Sequence, residues 1–473
     1  METSNNFRAR WMRELDKNTV VVIGGTGREH ALVDSYAKSP NVERVICIPG
    51  NPLMEKNSQK EVTIFQSYDG KRLRTTDKKE IIEICKANGV TFADVAQDDA
   101  VAAGVADATR SIGIPTIGFG ERAAILEADK AYSRDFCREY GIPIPDYEVF
   151  TSKAAGIRYL RNAPDIKRAI KAAYLAGGKG VISGENNKDT ARKIGRLRGS
   201  FPQAAKKYLL EEWMLNDDGT PGEEFSAFFI FDGNNWESLG DAQDYKLEGV
   251  GDTGENTGSM GGNSPTLIYT DEVRGQAEEI AEKTFSGLKE KRLASPGILY
   301  VSGMVLVQRG RKLVKLTEHN MRFGDPEGQL IASGMENFWE TMWAAGNGDL
   351  DNIHVKRDGK KRVDIAGMAN GYPRDYSAVV GMEVFGVDDA MAVDGVRVFG
   401  AGIGKDASGK YRVSGTNGRI FHIVGEGEVD ESFKDVRAKP LTGMSKVDIE
   451  GNNLRYRPDI AWQDIERERR LQY

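Results

Sequence analysis

The first part of the chain alternates between short apolar runs and longer amphipathic segments. The apolar runs lie at residues 19–23, 42–48 and 91–95, and segments with helical spacing lie at 28–37 and 78–88. Short apolar runs of this kind are typical of strands that are buried on both faces of a parallel sheet. The alternation therefore predicts a doubly wound β-α-β unit that ends near Phe119.

The middle of the chain combines helical patterns with strands and glycine-rich loops. Helices are predicted over 122–140 and 271–289. Two strands are predicted within 165–183 and two within 209–231, one at each end of the segment. Single strands are predicted over 298–307 and 312–318. A long glycine-rich loop is predicted over 252–265. After Gly346 the pattern changes to short strands and turns, which indicates a separate C-terminal module. At about 100–200 residues per domain, the chain has room for three or four domains.

Composition and charge argue against several classes of protein. The net charge is −6 and basic runs such as 360–362 are short, so no nucleic-acid-binding surface is expected. No apolar run approaches the ~18–20 residues of a membrane span. The three cysteines form no CxxC pair, which argues against a disulfide framework or zinc site and favours a reducing, cytoplasmic location. Residues 1–18 lack the apolar region of a signal peptide and are interpreted as a polar extension.

The first motif that could bind a ligand is Gly24-Gly25-Thr26-Gly27, between a predicted strand and a predicted helix. Free N–H groups at a helix N-terminus favour an anion such as phosphate. The motif is not a complete dinucleotide fingerprint, because His30 stands where the last glycine would fall. An anion site, a dinucleotide site and a purely structural turn all remain open at this point.

The second motif is the glycine-rich run at 176–181, which carries a single lysine, Lys179. It has neither the Walker A spacing nor a Ser or Thr after the lysine, so it is not a P-loop. Gly178 and Gly180 would let the backbone wrap phosphates while Lys179 neutralises their charge. Such a loop suits a lid that closes over ATP, and a plain hairpin turn is the alternative.

The third motif ends a predicted strand at 317–327. Because alternate side chains of a strand share a face, Glu318, Asn320 and Arg322 are expected to point the same way. Glu318 and Asn320 offer the oxygen ligands that Mg²⁺ prefers, and Arg322 suits a phosphate or a carboxylate. His319 faces the opposite side, where a packed histidine is expected. A polar strand end without a ligand is the alternative for the motif.

The fourth motif joins Gln243-Asp244-Tyr245-Lys246 to the polar loop at 252–265. Long polar loops beside a rigid sheet usually hold substrate. A disordered surface loop is the alternative.

In this order the motifs resemble those of the phosphoribosylamine–glycine ligase family, over residues 20–467. Besides the motifs above, the resemblance rests on the segments at 49–51, 126–131, 211–212, 222–226, 371–373 and 457–460. It implies an α/β fold with an N-terminal Rossmann-like domain (19–119), an ATP-grasp lid subdomain with a connecting helix (120–195), an ATP-grasp core (196–347) and a C-terminal mixed α/β domain (348–473).

The resemblance also implies an activity and a set of site residues. The enzyme would use ATP and Mg²⁺ or Mn²⁺ to join glycine to 5-phosphoribosylamine in purine biosynthesis, as a monomer or small homo-oligomer. The implied ATP-binding residues are Lys130, Lys171, Gly178, Lys179, Gly180, Glu211, Glu212, Trp213 and Glu224. The implied substrate-binding residues are Gly25, Gly27, Arg28, Asn51, Asp244, Lys246, Asp252, Thr253, Gly254, Met260, Gly261, Arg322, Asp325 and Glu327. The implied catalytic residues are Arg322, Lys179 and Asp244, and the implied metal ligands are Glu318 and Asn320.

The chain departs from the family pattern in segments expected near the sugar phosphate. The family's Gly-Pro-Glu-Ala-Pro-Leu is Ala-Gln-Asp-Asp-Ala-Val at 96–101, and its Phe-His-Ala-Gly is Phe-Gly-Ala-Gly at 399–402. Asp98 and Asp99 are the candidates to replace the missing glutamate. The alternatives are therefore an ATP-grasp ligase with a different carboxylate or amine and a non-catalytic nucleotide-binding protein.

Overall fold

The computed structural model describes residues 17–57, 60–174 and 180–471, and it begins with a parallel sheet between helices. The strands of this region are β1 (Asn18–Gly24), β2 (Val42–Pro49), β3 (Glu61–Ile64), β4 (Ser67–Tyr68), β5 (Lys71–Arg72), β6 (Phe92–Val95) and β7 (Thr116–Ile117). The helices are α1 (Gly27–Lys38), α2 (Leu53–Asn57), α3 (Lys78–Ala87), α4 (Asp98–Ala102) and α5 (Val105–Ser111).

Five of these strands form one sheet in the order β3-β2-β1-β6-β7, and every pair is parallel. Val20 to Ile23 are fully buried, as expected for a strand covered on both faces. The strand order reverses between β1 and β6, and open α/β sheets bind ligands at the carboxyl ends of the strands at such a point. The predicted doubly wound unit is confirmed.

A smaller antiparallel sheet follows, in the order β10-β9-β11-β8. Its region contains α6 (Ile125–Ala128), α7 (Lys130–Glu139), β8 (Tyr147–Phe150), α8 (Lys153–Leu160), β9 (Arg168–Ala172), β10 (Val181–Gly184), α9 (Asn187–Ser200) and β11 (Tyr208–Glu212). This sheet extends to Glu212, past residue 195, where the sequence places the end of the lid subdomain.

The single helix predicted over 122–140 is wrong, because the chain breaks at Asp129. Asp129 has an extended backbone (φ −130°, ψ 99°) and forms an isolated β-bridge with Tyr174. Its carboxylate accepts hydrogen bonds from the backbone N–H groups of Ala131 and Tyr132 at 3.0 and 3.3 Å. Asp129 therefore caps α7 and places Lys130 at the first position of that helix.

The large sheet runs β18-β17-β12-β13-β16 and continues with three strands of the C-terminal region, β19 (Lys361–Ala369), β24 (Arg419–Gly427) and β21 (Val396–Gly400). A further short strand, β26 (Leu454–Arg455), pairs with β19. The first half of the large sheet contains β12 (Glu223–Phe231), β13 (Trp236–Asp244), β14 (Leu247–Gly249), β15 (Thr253–Asn256), β16 (Gly261–Ser264), α10 (Asp271–Glu290), β17 (Gly297–Gln308), β18 (Arg311–Asn320), α11 (Glu327–Ser333) and α12 (Phe338–Asn347). The predicted strands at 298–307 and 312–318 and the helix at 271–289 are confirmed.

The uninterrupted loop predicted over 252–265 is wrong, since it contains β15 and β16. The glycines at 261 and 262 allow β16 to lie between β13 and β19. A Cβ atom on Gly261 would lie 2.3 Å from the carbonyl oxygen of Asp364, and one on Gly262 would lie 2.7 Å from that of Gln243. Glycine therefore serves here for close strand approach rather than for a flexible loop.

The C-terminal region contributes further strands to the same large sheet. It contains β19 (Lys361–Ala369), β20 (Val384–Phe385), α13 (Val387–Met391), β21 (Val396–Gly400), β22 (Ile403–Lys405), β23 (Tyr411–Val413), β24 (Arg419–Gly427), α14 (Phe433–Met444), β25 (Asp448–Ile449), β26 (Leu454–Arg455) and α15 (Trp462–Leu471). Short 3₁₀ helices lie at Leu350–Asn352 and Ser377–Val379. The region has its own hydrophobic core, but β16 pairs with β19, so the sheet crosses residue 347. No helix among the described residues is long and apolar enough to span a membrane.

Candidate active site

The end of β18 carries the acidic and amide side chains of the third motif. Glu318 Oε2 lies 2.8 Å from the Nζ atom of Lys130 at the start of α7. Burial alone would raise the pKa of Glu318, but the charges of Lys130 and Lys246 outweigh it and hold the pKa well below its usual range. Glu318 is therefore a carboxylate at every physiological pH.

Asn320 and Arg322 continue from Glu318 along the same strand end. The Arg322 guanidinium lies 2.8 Å from Glu127 Oε1, and Glu127 Oε2 accepts the backbone N–H of Met321 at 2.7 Å. Arg322 also donates to Asn320 Oδ1 at 3.5 Å. Burial alone would lower the pKa of Arg322, but Glu127 and Asp98 raise it, so this cation keeps its charge.

Glu318 and Asn320 fit a divalent cation that is shared with a bound polyphosphate. The buried Asn320 Nδ2 atom has no hydrogen-bond partner among the described residues, so the amide is held only weakly through its oxygen. Groups of three or more His, Cys, Asp or Glu side chains that could hold a metal are absent from the described ranges. Two protein oxygens completed by phosphate oxygens and water are what Mg²⁺ commonly uses.

The ends of β12 and β13 supply a second ion pair to the same site. Lys246 Nζ lies 2.6 Å from Glu224 Oε2, and Lys246 is one of the charges that act on Glu318. Burial and the charge of Glu327 raise the pKa of Asp244. The buried Asp244 Oδ1 atom has no hydrogen-bond partner among the described residues. The Oδ1 atom of Asp244 is therefore available to a ligand.

The turn after β18 is held by hydrogen bonds from three different elements. Glu327 Oε1 accepts from the Ser226 hydroxyl at 2.9 Å. Asp325 Oδ2 accepts from Arg419 at 2.8 Å, and its Oδ1 accepts from Gln329 at 2.6 Å. Both carboxylates are therefore already bonded to protein groups, which leaves Asp325 with little capacity for a ligand.

A buried ionic cluster lies beneath the small sheet. Glu211 binds Arg134 through both oxygens, at 2.7 and 3.1 Å, and lies 2.7 Å from Lys171 Nζ. Burial would raise the pKa of Glu211, but Arg134 and Lys171 lower it to about 2. Burial lowers the pKa of Lys171. The next residues are different: Glu212 is exposed, and Trp213 is half-buried.

The glycine-rich run at 176–181 is only partly described. Gly178 and Lys179 lie outside the described residues. Gly180 begins the described part, and its carbonyl accepts the backbone N–H of Ala172 at 2.8 Å. This hydrogen bond continues the pairing between β9 and β10.

The N-terminal glycine turn touches the end of β18 through Arg28. The buried Arg28 side chain donates to the Phe323 carbonyl at 2.9 Å and to Gln97 Oε1 at 3.0 Å. A Cβ atom on Gly27 would lie 2.6 Å from Gln329 Nε2. The turn, the segment after β6 and the β18 turn therefore meet at the crevice of the parallel sheet.

Asn51 forms hydrogen bonds within the protein. Its side-chain amide donates to the carbonyl groups of Gly25 and Gly400, at 3.1 and 2.8 Å. Its Oδ1 atom accepts the backbone N–H of Leu53 at 3.2 Å. Asn51 therefore joins the first glycine turn to β21.

The two ends of the fourth motif lie in different environments. Met260 is buried and Gly261 forms part of β16. Thr253 and Gly254 are exposed. Asp252 is bonded to Arg457 and Trp462 of the C-terminal segment, at 2.8 and 3.0 Å.

The expectation of a packed His319 is confirmed. Its ring nitrogens lie 2.9 Å from the Ser133 hydroxyl and 3.1 Å from the Thr284 hydroxyl. Burial, reinforced by the nearby Arg134 charge, lowers the pKa of His319 to about 3, so the ring is neutral.

Sequence reasoning missed three charged residues that line or support this site. Glu127 fixes Arg322, Arg134 fixes Glu211, and Arg419 fixes Asp325. Arg134 could have been found, because it lies four residues after Lys130 and so on the same helix face. Glu127 and Arg419 left no such signal, since their partners are 195 and 94 residues away along the chain.

Comparison with known proteins covers both the domains and the whole chain. Residues 18–127 match the family model of the phosphoribosylglycinamide synthetase N domain, and residues 128–328 match that of its ATP-grasp (A) domain. The phosphoribosylamine–glycine ligase of Rhizobium meliloti is 31% identical, over 95% of this chain and 99% of the relative. The phosphoribosylamine–glycine ligase of Caulobacter vibrioides is 32% identical, over 96% of this chain and 100% of the relative. The trifunctional purine biosynthetic protein adenosine-3 of Drosophila melanogaster is 32% identical, and this chain spans 31% of its length.

Solved structures agree with these matches. The crystal structure of phosphoribosylamine–glycine ligase from Thermotoga maritima is 26% identical and superposes with a TM-score of 0.73, over 93% of this chain and 100% of that one. A biotin carboxylase from Campylobacter jejuni shares the fold, with 14% identity and a TM-score of 0.66. The match covers 93% of this chain and 94% of that one. On these matches, the chain belongs to the phosphoribosylamine–glycine ligase family, with an N domain followed by an ATP-grasp domain.

Proposed function

We propose that the chain ligates glycine to 5-phosphoribosylamine, with conversion of ATP to ADP and phosphate, and so forms glycinamide ribonucleotide for purine biosynthesis. The observation that carries this proposal is the match over almost the whole chain to ligases of this name. The site geometry supports it, because Arg28 of the N-terminal turn touches the β18 turn that follows Glu318 and Asn320. A sugar-phosphate amine and an activated carboxylate could meet at that junction.

Among the described residues assigned to ATP, Lys171, Glu211 and Glu212 lie on the small sheet. Lys130 begins α7, and Glu224 lies on β12 of the large sheet. Lys130, Lys171 and Lys179 would bind the phosphates, through their positive charge. Glu211, Glu212 and Trp213 would line the adenine site, and Glu224 would lie near the ribose. Lys171 is held in place by Glu211 at 2.7 Å, so its ammonium group is oriented before the nucleotide arrives.

The metal is assigned to Glu318 and Asn320, whose hard oxygen donors suit either Mg²⁺ or Mn²⁺. When bound, the metal would neutralise charge that develops on the transferred phosphoryl group. The depressed pKa of Glu318 keeps its carboxylate ionised for this task. Lys130, which pairs with Glu318 at 2.8 Å, could then turn to the phosphates.

The chemistry divides into two displacements. A carboxylate oxygen of glycine attacks the γ-phosphorus of ATP, the bond to the bridging oxygen breaks, and ADP leaves with glycyl phosphate formed. The amine of phosphoribosylamine then attacks the glycyl carbonyl, and phosphate leaves with the bonding electron pair. Arg322, kept charged by Glu127, would orient the acyl phosphate. Asp244 would hold the attacking amine and accept its proton, since its pKa is raised.

The remaining assignments concern the sugar phosphate and the domain divisions. Gly25, Gly27 and Arg28 would bind the phosphate of the amine substrate by the N-terminus of α1. Lys246, Met260 and Glu327 would border the glycine and amine. Residues 19–119, 120–195, 196–347 and 348–473 would be the N-terminal domain, lid subdomain, core and C-terminal domain.

A ligase with a different amine is the second candidate, and the segment after β6 favours it. Burial alone would raise the pKa of Asp98, but Arg322 and Arg28 lower it, so a carboxylate faces the junction between the two domains. Because Asp98 is also a candidate to replace the family's glutamate, the case for this candidate rests on the other changes in the segment 96–101.

The test is ATP-dependent product formation followed by mass spectrometry, with glycine, Mg²⁺ and phosphoribosylamine made in place from ribose 5-phosphate and ammonia. A glycinamide ribonucleotide peak that requires every component supports the proposal. ADP formation only with another carboxylate or amine supports the second candidate. Glu318→Gln should abolish the peak and Glu336→Gln, an exposed matched control, should retain it. Near-normal turnover by Glu318→Gln at limiting Mg²⁺ would refute the metal assignment.

A further inference from the structure

The segment between β26 and α15 contains a buried arginine, Arg457, whose side chain is 1% exposed. Its Nε and Nη2 atoms donate to the two carboxylate oxygens of Asp459, at 2.9 and 2.7 Å. Its Nη1 atom donates to Asp252 Oδ1 at 2.8 Å and to the Leu247 carbonyl at 2.9 Å. A guanidinium fork bound in this way fixes both distance and orientation. These contacts of Arg457 with Asp459, Asp252 and Leu247 are called the Arg457 clamp below.

The clamp holds the hairpin formed by β14 and β15. All four residues of β15 are exposed, and Val250 at the turn is 59% exposed. Arg374 also pairs with this hairpin, but its side chain is 62% exposed, and ion pairs so exposed to solvent contribute little. A two-stranded hairpin is only marginally stable by itself. The contacts made by the buried Arg457 therefore constrain its position.

Two further hydrogen bonds join the hairpin to the same C-terminal segment. Trp462 Nε1 donates to Asp252 Oδ2 at 3.0 Å, so both carboxylate oxygens of Asp252 are engaged. The backbone N–H of Gly251 donates to Asp459 Oδ2 at 2.8 Å. The turn is thus held on its backbone as well as on its side chain.

The hairpin leaves the candidate active site at Lys246 and returns to it at Thr257. The Lys246 carbonyl accepts both the backbone N–H and the hydroxyl of Thr257, each at 2.8 Å. The Arg457 guanidinium also lies 5.6 Å from the centre of the Tyr245 ring, between Asp244 and Lys246 in the chain. A displacement of the hairpin would therefore move the Lys246 ammonium relative to Glu224 and Glu318.

We propose that Arg457 is a positioning residue of the ligase: it fixes the 247–256 hairpin and through it the placement of Lys246 and Asp244 for the substrates that flank them. The proposal rests on the proposed function, because those substrates are glycine and phosphoribosylamine. It assigns no role in nucleotide binding to the clamp, since Lys130, Lys171 and Glu211 lie on other elements.

The kinetic test uses Arg457→Lys, which keeps the charge and loses the fork. We expect the KM for glycine or phosphoribosylamine to rise roughly tenfold or more, while the KM for ATP changes less than about twofold. Trp462→Phe is a milder variant that removes one hydrogen bond to Asp252 and retains the ring. It should shift the same KM in the same direction by a smaller factor.

The matched control is Arg362→Lys. Arg362 is also 1% exposed and bound to two carboxylates, those of Asp358 and Glu426, but it does not contact the hairpin. A loss of thermal stability without a change in any KM is expected for it. Equal KM changes in Arg362→Lys and Arg457→Lys would overturn the proposal, because they would indicate general destabilisation.

Hydrogen–deuterium exchange measures the clamp without relying on activity. Peptides that cover 247–258 should exchange faster in Arg457→Lys than in the wild type. In Arg362→Lys their exchange rates should equal those of the wild type. Unchanged exchange in Arg457→Lys would overturn the proposal, as would faster exchange with unaltered KM values. A wild-type chain that forms no product from glycine and phosphoribosylamine refutes the proposed function, and the exchange result alone then decides whether Arg457 fixes the hairpin.

Discussion

Asp94 offers a quantitative test of the N-terminal core. It lies on β6 with 2% of its surface exposed, and the Tyr36 hydroxyl donates to its Oδ2 atom at 2.8 Å. Burial raises its pKa from 3.8 to about 7, against the opposing effect of the Tyr36 hydrogen bond. The replacement Asp94→Asn keeps an acceptor for Tyr36 and removes the ionisation, so it isolates the cost of a buried charge.

The sign and size of the effect follow from the two pKa values. The folded state binds the Asp94 proton more tightly than the unfolded state does. The resulting contribution to the free energy of unfolding is fully present below pH 3.8 and is lost as the pH rises through about 7. One pKa unit corresponds to about 1.4 kcal/mol, which gives a total loss of about 4 kcal/mol. Between pH 5 and pH 8 the loss is about 2.5 kcal/mol, because part of it already occurs below pH 5.

The assay is urea unfolding of the wild type and Asp94→Asn at pH 5 and pH 8, followed by tryptophan fluorescence. Trp339 and Trp343 report on this region, because their rings lie 5.2 and 5.9 Å from that of Phe92. We expect the free energy of unfolding of the variant, relative to that of the wild type, to be about 2.5 kcal/mol higher at pH 8 than at pH 5. The exposed control Asp430→Asn should show no such gain. Parallel pH profiles for Asp94→Asn and the wild type would refute the reasoning.

Two other replacements test charges of the candidate site. Glu211→Gln leaves Arg134 and Lys171 buried without their carboxylate, so we expect a loss of about 3–5 kcal/mol in the free energy of unfolding, measured by denaturation. The affinity for ATP, measured by calorimetry, should also be weaker. An unchanged free energy of unfolding would contradict the stabilising role of the buried cluster. Asp244→Asn removes an acid whose pKa is raised by burial and by Glu327, so kcat/KM should lose its rise with increasing pH across the neutral range, and an unaltered pH profile would contradict the role of Asp244 as proton acceptor.

Local patterns were sufficient to predict the elements that carry the third motif. The parity that places Glu318 and Asn320 on one face needs only that residues 312–318 form a strand, and the period of a strand is fixed by the backbone. The position of His319 on the opposite, packed face follows from the same rule. The sequence pattern around Thr26 likewise predicts a helix start, and in the structure its backbone N–H donates to Glu29 Oε2 at 2.8 Å.

Features that depend on distant partners could not be predicted. The β-bridge between Asp129 and Tyr174 joins residues 45 positions apart, so no local pattern predicts it, although Asp is a common N-cap residue. Glycine has low strand propensity, so Gly261 and Gly262 favoured a loop, whereas the neighbouring strands require residues without side chains there. The hydrogen bond from Arg457 to Asp252 joins residues 205 positions apart, so no local pattern predicts it.

The candidate site is organised as three ion pairs between elements that are distant in sequence: Lys130 with Glu318, Lys246 with Glu224, and Arg322 with Glu127. Each pair joins a cation that could bind phosphate or carboxylate to an acid that could bind metal, ribose or a partner cation. These side chains are between 9% and 39% exposed, so pairing offsets part of the cost of shielding each charge from water. In the proposed complex, a phosphate oxygen of ATP would become the partner of Lys130, and Glu318 would help to hold the metal. Each of these two charges would then keep a partner of opposite sign when ATP binds.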